Sequence, residues 1–288
     1  MTEPPAQSAR LVRYVVAVIA AFALLPSSPR LYCVAAAAPS EIDGVATHRV
    51  ASPYQSDTTE VRVLMPRDLP LTMRIPAIYV LPVEPRDEHR YGDGLAEIAR
   101  HQLHQKHGVL FVAPSFSALP WYADHPSDPQ FAQESHFVKV VVPLIDKTYP
   151  TVAERRGRLL LGFSKSGWGA MTLLLRHPEL FDRAAAWDAP LWLDEPGRYG
   201  SGEIFGTPEN FRRYQVSALL TSRARQLGNE PRLILAGHGA FAADHEQAHQ
   251  LLERLQVPHI YLDGPTRQHD WHSGWVTPTV EQLLSPAR

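Results

Sequence analysis

Short apolar runs alternate with amphipathic segments along most of this chain. Runs typical of buried strands, rich in Val, Ile, Leu and Tyr, occupy residues 61–65, 75–83, 109–113, 158–162, 184–187, 233–236 and 259–262. Segments with apolar residues at helical spacing occupy 95–107, 131–149, 166–176 and 242–255, with a short one near Val280. This alternation predicts an α/β fold, in which helices cover both faces of a mostly parallel central sheet.

The N-terminus has a different pattern. Arg10 and Arg13 precede an apolar stretch at 14–25, and small residues follow at 35–38, which is the order of a secretory signal peptide. The stretch is shorter than the ~20 residues that span a bilayer, so we expect no stable membrane span. We predict a signal peptide over 1–38, with an uncleaved anchor as the alternative, and a secreted or periplasmic protein.

The remainder, 39–288, shows no internal repeat and no linker, which favours a single domain. Residues 191–220 are less regular and could form an insertion over the functional site. The 28 basic and 30 acidic residues nearly balance, so a nucleic-acid partner is not expected. Cys33, the only cysteine, lies in the predicted signal peptide, so the mature chain would have no cysteine nucleophile.

The segment with the clearest chemistry is the predicted strand–helix junction at 159–170, which contains Gly162, Ser164, Ser166 and Gly167. A serine at the apex of such a turn is exposed at the carboxyl edge of the sheet, beside the N–H groups of the helix start. Ser164 has the right offset from the strand, whereas Ser166 would lie within the helix. We therefore predict Ser164 as a nucleophile.

A serine nucleophile needs an imidazole base, which an acid orients. His269 follows the last predicted strand, and His272 is its competitor. Asp244 is the first carboxylate after strand 233–236 and is our predicted acid, with Glu246 and Asp188 as alternatives. For the oxyanion we expect the N–H of Lys165 and a second N–H after strand 75–83, from Val83 or Glu84.

With these residues in place, the chain resembles the α/β-hydrolase family of esterases that includes esterase D, the antigen 85 mycolyltransferases and the feruloyl esterases. The resemblance is strongest over 141–182 and in the motif His269-Asp270-Trp271, which favours His269 over His272. Ser166 stands where the family has glycine, and the usual glycine is missing after Leu81. The resemblance implies an acyl-enzyme on Ser164 that is released to water or to an alcohol.

Two other interpretations stay open: a catalytically silent binding protein of the same fold, and a metal site at His245 and His249, which are i, i+4 on one predicted helix beside Asp244. We favour neither, and expect no cofactor or catalytic metal. The substrate is hypothesised to be a small or carbohydrate-linked ester, because tryptophans fall near the ends of predicted strands, where a pocket should form. Those expected to bind it are Trp121, Trp168, Trp192 and Trp271.

Overall fold

The computed structural model describes residues 40–285 except 43, 71 and 238. Within these residues one sheet has nine strands, in the order β1-β2-β3-β5-β4-β6-β7-β8-β9. The strands are β1 (Ser40–Ile42), β2 (Val45–Val50), β3 (Thr59–Leu64), β4 (Ala77–Leu81), β5 (Leu110–Pro114), β6 (Arg158–Phe163), β7 (Arg183–Trp187), β8 (Leu233–Ala236) and β9 (His259–Leu262).

Strands β4 to β9 are parallel to one another, whereas β1, β2 and β3 form an antiparallel extension that joins the sheet through β5. The seven strands predicted from the apolar runs all appear in the sheet. Because β6 to β9 are parallel neighbours, the loops that follow them emerge along one edge of the sheet.

Helices connect the strands and cover the sheet. They are α1 (Gly94–Arg100), α2 (Leu103–His107), α3 (Gln133–His136), α4 (Val142–Thr148), α5 (Lys165–Arg176), α6 (Gly202–Phe205), α7 (Pro208–Tyr214), α8 (Val216–Arg223), α9 (Ala242–Leu255) and α10 (Val276–Leu284). In β4, the side chains of Tyr79 and Leu81 enter one apolar cluster, and those of Ile78 and Val80 enter a second one. Successive strand residues point to opposite faces, so both faces of the sheet are buried and the predicted fold class is confirmed.

The structure differs from two helix predictions in detail. The helix expected over 95–107 is divided into α1 and α2, because Gln102 adopts a left-handed conformation with φ 51°. The helix expected over 131–149 begins at Gln133 and contains a π turn at Phe137–Val141 between α3 and α4.

The predicted signal peptide and Cys33 lie outside the described residues. Among the residues that are described, no helix combines the length and apolar character needed to cross a membrane. The irregular segment 191–220 contains a short 3-10 turn at Arg198–Gly200, followed by α6, α7 and the start of α8.

Candidate active site

Ser164 occupies a sharp turn between β6 and α5, as its sequence context predicts. Its φ of 52° and ψ of −125° are sparsely populated for a residue with a side chain, and such strain is concentrated at functional sites. The turn requires glycine at 162, because a Cβ there would lie 2.0 Å from the carbonyl oxygen of Ser166. The hydroxyl of Ser164 thereby stands at the carboxyl end of β6, next to the start of α5.

Ser166 has a different role in the same turn. Its fully buried hydroxyl accepts a hydrogen bond from the Phe163 N–H at 2.9 Å and donates one to the Phe163 carbonyl at 2.8 Å. The hydroxyl therefore acts as both donor and acceptor, and it links the end of β6 to the first turn of α5. Ser164, in contrast, lines a cavity.

His269 faces Ser164, with its Nε2 3.1 Å from the serine Oγ. The loop that carries it is held by neighbouring tryptophans: the Trp271 N–H donates to the Tyr91 carbonyl at 2.9 Å, and Trp275 Nε1 donates to the Asp270 carbonyl at 2.8 Å. His272 lies elsewhere, with its Nδ1 3.1 Å from a carboxylate oxygen of Glu97.

The acid in contact with His269 is Asp188, which directly follows β7. Its Oδ2 lies 2.5 Å from His269 Nδ1, and it accepts further hydrogen bonds from the N–H groups of Phe241 at 2.7 Å and Ala240 at 3.0 Å. Burial alone would raise the pKa of Asp188, but the hydrogen bonds from His269 and these backbone groups outweigh it and lower the pKa below its usual value. The carboxylate is thus held ionised in a fully buried position.

The prediction that Asp244 contacts the histidine is wrong in the structure. Asp244 lies in the first turn of α9, where its Oδ2 accepts a hydrogen bond from the Trp192 N–H at 2.9 Å, and burial raises its pKa. Glu246 is exposed and accepts from Tyr261 Oη at 3.1 Å. Asp188, the second alternative, is the residue that the structure places on His269.

The sequence contains only part of the signal for Asp188, namely the two glycines Gly237 and Gly239 in the loop after β8. That Asp188 follows the strand next to the one that ends at Ser164 is visible only in the structure. A Cβ on Gly239 would lie 2.4 Å from Asp188 Oδ2, and one on Gly237 would lie 2.6 Å from the Asp188 nitrogen. The glycines thus allow the loop backbone to approach the acid and donate hydrogen bonds to it.

His245 contacts the backbone directly after the same acid, whereas the sequence left open a metal-binding role for it that we did not favour. The Ala189 N–H, directly after Asp188, donates to His245 Nε2 at 2.8 Å in the buried interior. This contact uses His245 Nε2 as a hydrogen-bond acceptor, which differs from the metal-binding role that the i, i+4 spacing with His249 allowed.

The residues expected to bind the oxyanion line two different cavities. Lys165, the first residue of α5, lines the cavity at Ser164, and burial lowers the pKa of its side chain. Val83 and Glu84 line a neighbouring cavity instead. There the Glu84 carboxylate accepts a hydrogen bond from the Tyr91 N–H at 3.3 Å and pairs with Arg90 at 3.3 Å, so it anchors the Tyr91 segment.

Ser164 and His269 open into a cavity of about 310 Å³ with aromatic walls. Its other lining residues are Tyr91, Lys165, Pro190, Tyr199, Ala240 and Phe241. A second cavity of about 270 Å³ shares four of them and extends the site toward more polar residues. The residues that only the second cavity contacts are Trp192, Leu193, Asp194, Arg198, Asp244 and Gln247. Tyr199, Trp192 and Arg198 belong to segment 191–220, so this segment forms part of the wall.

Three of the four tryptophans expected to bind substrate do not reach these cavities. Trp121 and Trp168 have no exposed surface and pack edge to face, with ring centroids 5.8 Å apart. Trp271 is buried on the other face of the sheet, where a Cβ on Gly94 would lie 2.8 Å from its ring. These assignments were wrong because apolar area at a strand end serves core packing equally well. Trp192 alone is half-buried and lines the adjoining cavity.

The parallel sheet, the serine turn and the histidine loop together define an α/β-hydrolase fold. The sequence matches the model of the Esterase family, described as "Putative esterase", over residues 52–203, which is just over half of the chain. The chain therefore belongs to this family, and membership supports a hydrolase function. A comparison with curated protein sequences finds no match.

Solved structures with the same fold include several hydrolases. A ferulic acid esterase is 18% identical, with a TM-score of 0.63 over 83% of this chain and 96% of the other. FphF, a fluorophosphonate-binding serine hydrolase of Staphylococcus aureus, is 16% identical, with a TM-score of 0.66 over 83% and 96%. An S-formylglutathione hydrolase of Agrobacterium tumefaciens is 14% identical, with a TM-score of 0.68 over 87% and 99%. At these identities the likeness establishes the fold alone.

Proposed function

We propose that this protein is a serine carboxylic-ester hydrolase that acts through an acyl-enzyme on Ser164. The observation that carries the proposal is the continuous chain from the Ser164 hydroxyl to His269 and on to the buried Asp188 carboxylate, with the hydroxyl end open to a cavity. A nucleophile in contact with a base, which a third group orients, is the arrangement that acyl transfer requires.

In the first half-reaction, Ser164 Oγ attacks the ester carbonyl carbon while His269 Nε2 takes the hydroxyl proton. The oxyanion of the tetrahedral intermediate accepts hydrogen bonds from the Lys165 N–H and from a second donor, for which Val83 or Glu84 stays our prediction. Collapse of the intermediate breaks the bond to the alcohol oxygen, which receives the proton from His269. The products are a free alcohol and acyl-Ser164.

In the second half-reaction, His269 deprotonates a water molecule that attacks the acyl carbonyl. The carboxylic acid leaves and the proton returns to Ser164 Oγ. An alcohol in place of water would give transesterification by the same steps. Throughout, Asp188 holds the His269 proton on Nδ1, so that Nε2 is free to accept, and stabilises the imidazolium that forms.

The walls of the two cavities suggest the kind of ester. Tyr91, Tyr199 and Phe241 surround Ser164 with aromatic surface suited to an acyl group. Beyond them Trp192 is accompanied by the polar side chains of Arg198 and Gln247, a combination suited to a hydroxyl-rich alcohol such as a sugar. We therefore propose a carbohydrate-linked ester as substrate. The predicted signal peptide would bring the enzyme to such a substrate outside the cytoplasm.

The experiment is hydrolysis of p-nitrophenyl acetate by the full chain, together with labelling by a fluorophosphonate probe. Ser164→Ala is compared with Ser222→Ala, a matched control at an exposed serine on α8. Loss of both signals in Ser164→Ala alone supports the proposal. Labelling that persists in Ser164→Ala contradicts it, and a folded parent that is neither active nor labelled would indicate a silent binding protein.

A further inference from the structure

Three side chains converge where α9 packs beside the edge strand β9. His249 and Glu253 lie one turn apart on α9, and His259 is the first residue of β9. His249 Nδ1 lies 2.7 Å from His259 Nε2, and Glu253 Oε1 lies 3.9 Å from the same nitrogen. One ligand atom from each residue falls within 4.8 Å of the other two. The proposed hydrolase mechanism uses none of them.

The tautomer of His259 is fixed by its second ring nitrogen. Nδ1 lies 2.8 Å from the Val257 carbonyl oxygen, which can only accept, so Nδ1 carries the proton. The lone pair of Nε2 therefore points at His249. A histidine held by a backbone carbonyl in this way is the usual arrangement of a metal ligand, because the outer hydrogen bond orients the ring.

The other two groups suit the same ion. The ring of His249 stacks on Tyr261, with centroids 4.3 Å apart and planes at 7°, which fixes the direction of its Nδ1. The His259 side chain is only 3% exposed, whereas that of Glu253 is 66% exposed, so the cluster has an interior ligand and an open side for entry. Two imidazoles and a carboxylate are a donor set that zinc accepts, with water as the fourth ligand.

We propose that His249, Glu253 and His259 bind a divalent transition-metal ion, zinc foremost. Tetrahedral zinc with Zn–N bonds of ~2.05 Å separates two nitrogens by about 3.3 Å, so the histidines must move apart by about 0.6 Å. His249 is half-buried on a helix surface and can make this movement. Without metal, the same pair satisfies itself by a hydrogen bond from His249 to His259.

The ion would join α9 to a strand that has only one neighbour in the sheet. Among the described residues β9 pairs with β8 alone, and its carboxyl end leads into the loop that carries His269. The cluster lies at the opposite end of β9 from that loop. Bound metal would therefore stabilise the supporting strand of the site without contact with the reacting groups.

The proposal is tested by titrating the full chain with Zn²⁺ in a calorimeter and by recording the visible absorption of the Co²⁺-loaded protein. We expect one ion per chain, a Tm that rises with Zn²⁺, and affinity lowered about tenfold or more in His249→Ala and Glu253→Gln. His101→Ala, at an exposed histidine outside the cluster, should bind as the parent does.

Two results would overturn the proposal: no saturable binding near one equivalent, or equal affinity in the parent and His249→Ala. His259→Ala could fail to fold because its side chain is interior, and for this reason the test rests on the two more exposed positions. Circular dichroism of each variant confirms that it is folded.

Discussion

Asp188 Oδ2 lies 2.5 Å from His269 Nδ1, although the two residues are 81 positions apart in sequence. They follow β7 and β9, and β8 lies between these strands in the sheet. The loop after β8 does not supply the acid. Instead it passes beside Asp188 and donates two backbone hydrogen bonds to the carboxylate. The loop after β8 therefore holds the carboxylate of Asp188, which follows the neighbouring strand β7.

If Asp188 orients the base, its charge and its acceptor oxygens are both needed. We expect Asp188→Asn to lower kcat for ester hydrolysis by about 10³- to 10⁴-fold with little change in KM, because the imidazole loses its required tautomer. Asp244→Asn is the matched control, since Asp244 contacts the Trp192 backbone and not His269. Steady-state kinetics of both variants decide between the two acids, and a large loss only in Asp244→Asn would contradict the assignment.

The approach of the β8 loop to the acid leads to a second prediction. Gly239→Ala would place a Cβ 2.4 Å from Asp188 Oδ2, so the loop or the carboxylate must move. A displacement near 1 Å at a catalytic group costs about 100-fold in kcat/KM, and we expect a loss of this size. Gly264→Ala is the control, because a Cβ there would meet no atom within 4 Å. Equal activities of the two variants would show that the loop does not position Asp188.

These relationships show which parts of the site were readable from the sequence. Ser164 could be predicted because a strand, a tight turn and a helix are contiguous in the chain, and His269 because it follows the last strand in a recognisable motif. The acid depends on which strand ends lie side by side and on a backbone that approaches from a third loop. Asp188 and Asp244 each follow a strand, and only the tertiary arrangement distinguishes them.

The tryptophans illustrate a second limit. Trp121 and Trp192 both occur near predicted strand ends, yet the first is fully buried and the second lines a cavity. A large aromatic side chain is equally suited to core packing and to ligand contact, so its residue type does not reveal its exposure. The seven strands, in contrast, were predicted correctly because burial on both faces leaves a continuous apolar run.

Ser166 provides a prediction about stability that is separate from catalysis. Ser166→Ala removes the hydroxyl that binds both backbone groups of Phe163 in the buried interior. We expect the free energy of unfolding to fall by about 1–3 kcal/mol, measured by urea denaturation, while fluorophosphonate labelling of Ser164 persists. Ser222→Ala, whose hydroxyl donates to the Ala218 carbonyl on the exposed side of α8, should change stability far less. Loss of labelling in a folded Ser166→Ala would mean that this serine takes part in the chemistry.

His136 predicts a pH dependence of stability. Its nitrogens lie 2.9 Å from Ser52 Oγ and 3.2 Å from Thr59 Oγ1, and burial lowers the pKa of His136 to about 4 from the ordinary value of 6.5. Between these values the unfolded chain binds the proton and the folded protein does not, so stability falls as pH decreases from 6.5 toward 4. The loss from this residue approaches about 3 kcal/mol.

The measurement is urea unfolding at several pH values between 5.5 and 6.5, because at lower pH the unfolded chain also begins to protonate Glu134, whose pKa is lowered from the ordinary value of 4.5 to about 2 in the folded protein. In His136→Asn the free energy of unfolding should depend less steeply on pH, because the titrating group is gone. The slope should fall by an amount that corresponds to at most one bound proton. An unchanged slope would show that His136 is not protonated preferentially in the unfolded chain.

Trp192 gives a prediction about the substrate. We expect Trp192→Ala to lower kcat/KM for a sugar-linked ester about tenfold, because stacking of one ring on an aromatic side chain contributes ~1–3 kcal/mol. Hydrolysis of p-nitrophenyl acetate should change little, because its small acyl group fits the cavity beside Tyr91 and Phe241.

Comparison of the two substrates distinguishes a role of Trp192 in substrate binding from a structural role. The structural role is possible because the Trp192 N–H also donates a hydrogen bond to Asp244, near the Asp188 loop. An equal fall with both esters would mean that the substitution disturbs the catalytic groups. Unchanged kinetics on both would remove the support for a carbohydrate alcohol in the adjoining cavity and leave the ester class to be sought among smaller substrates.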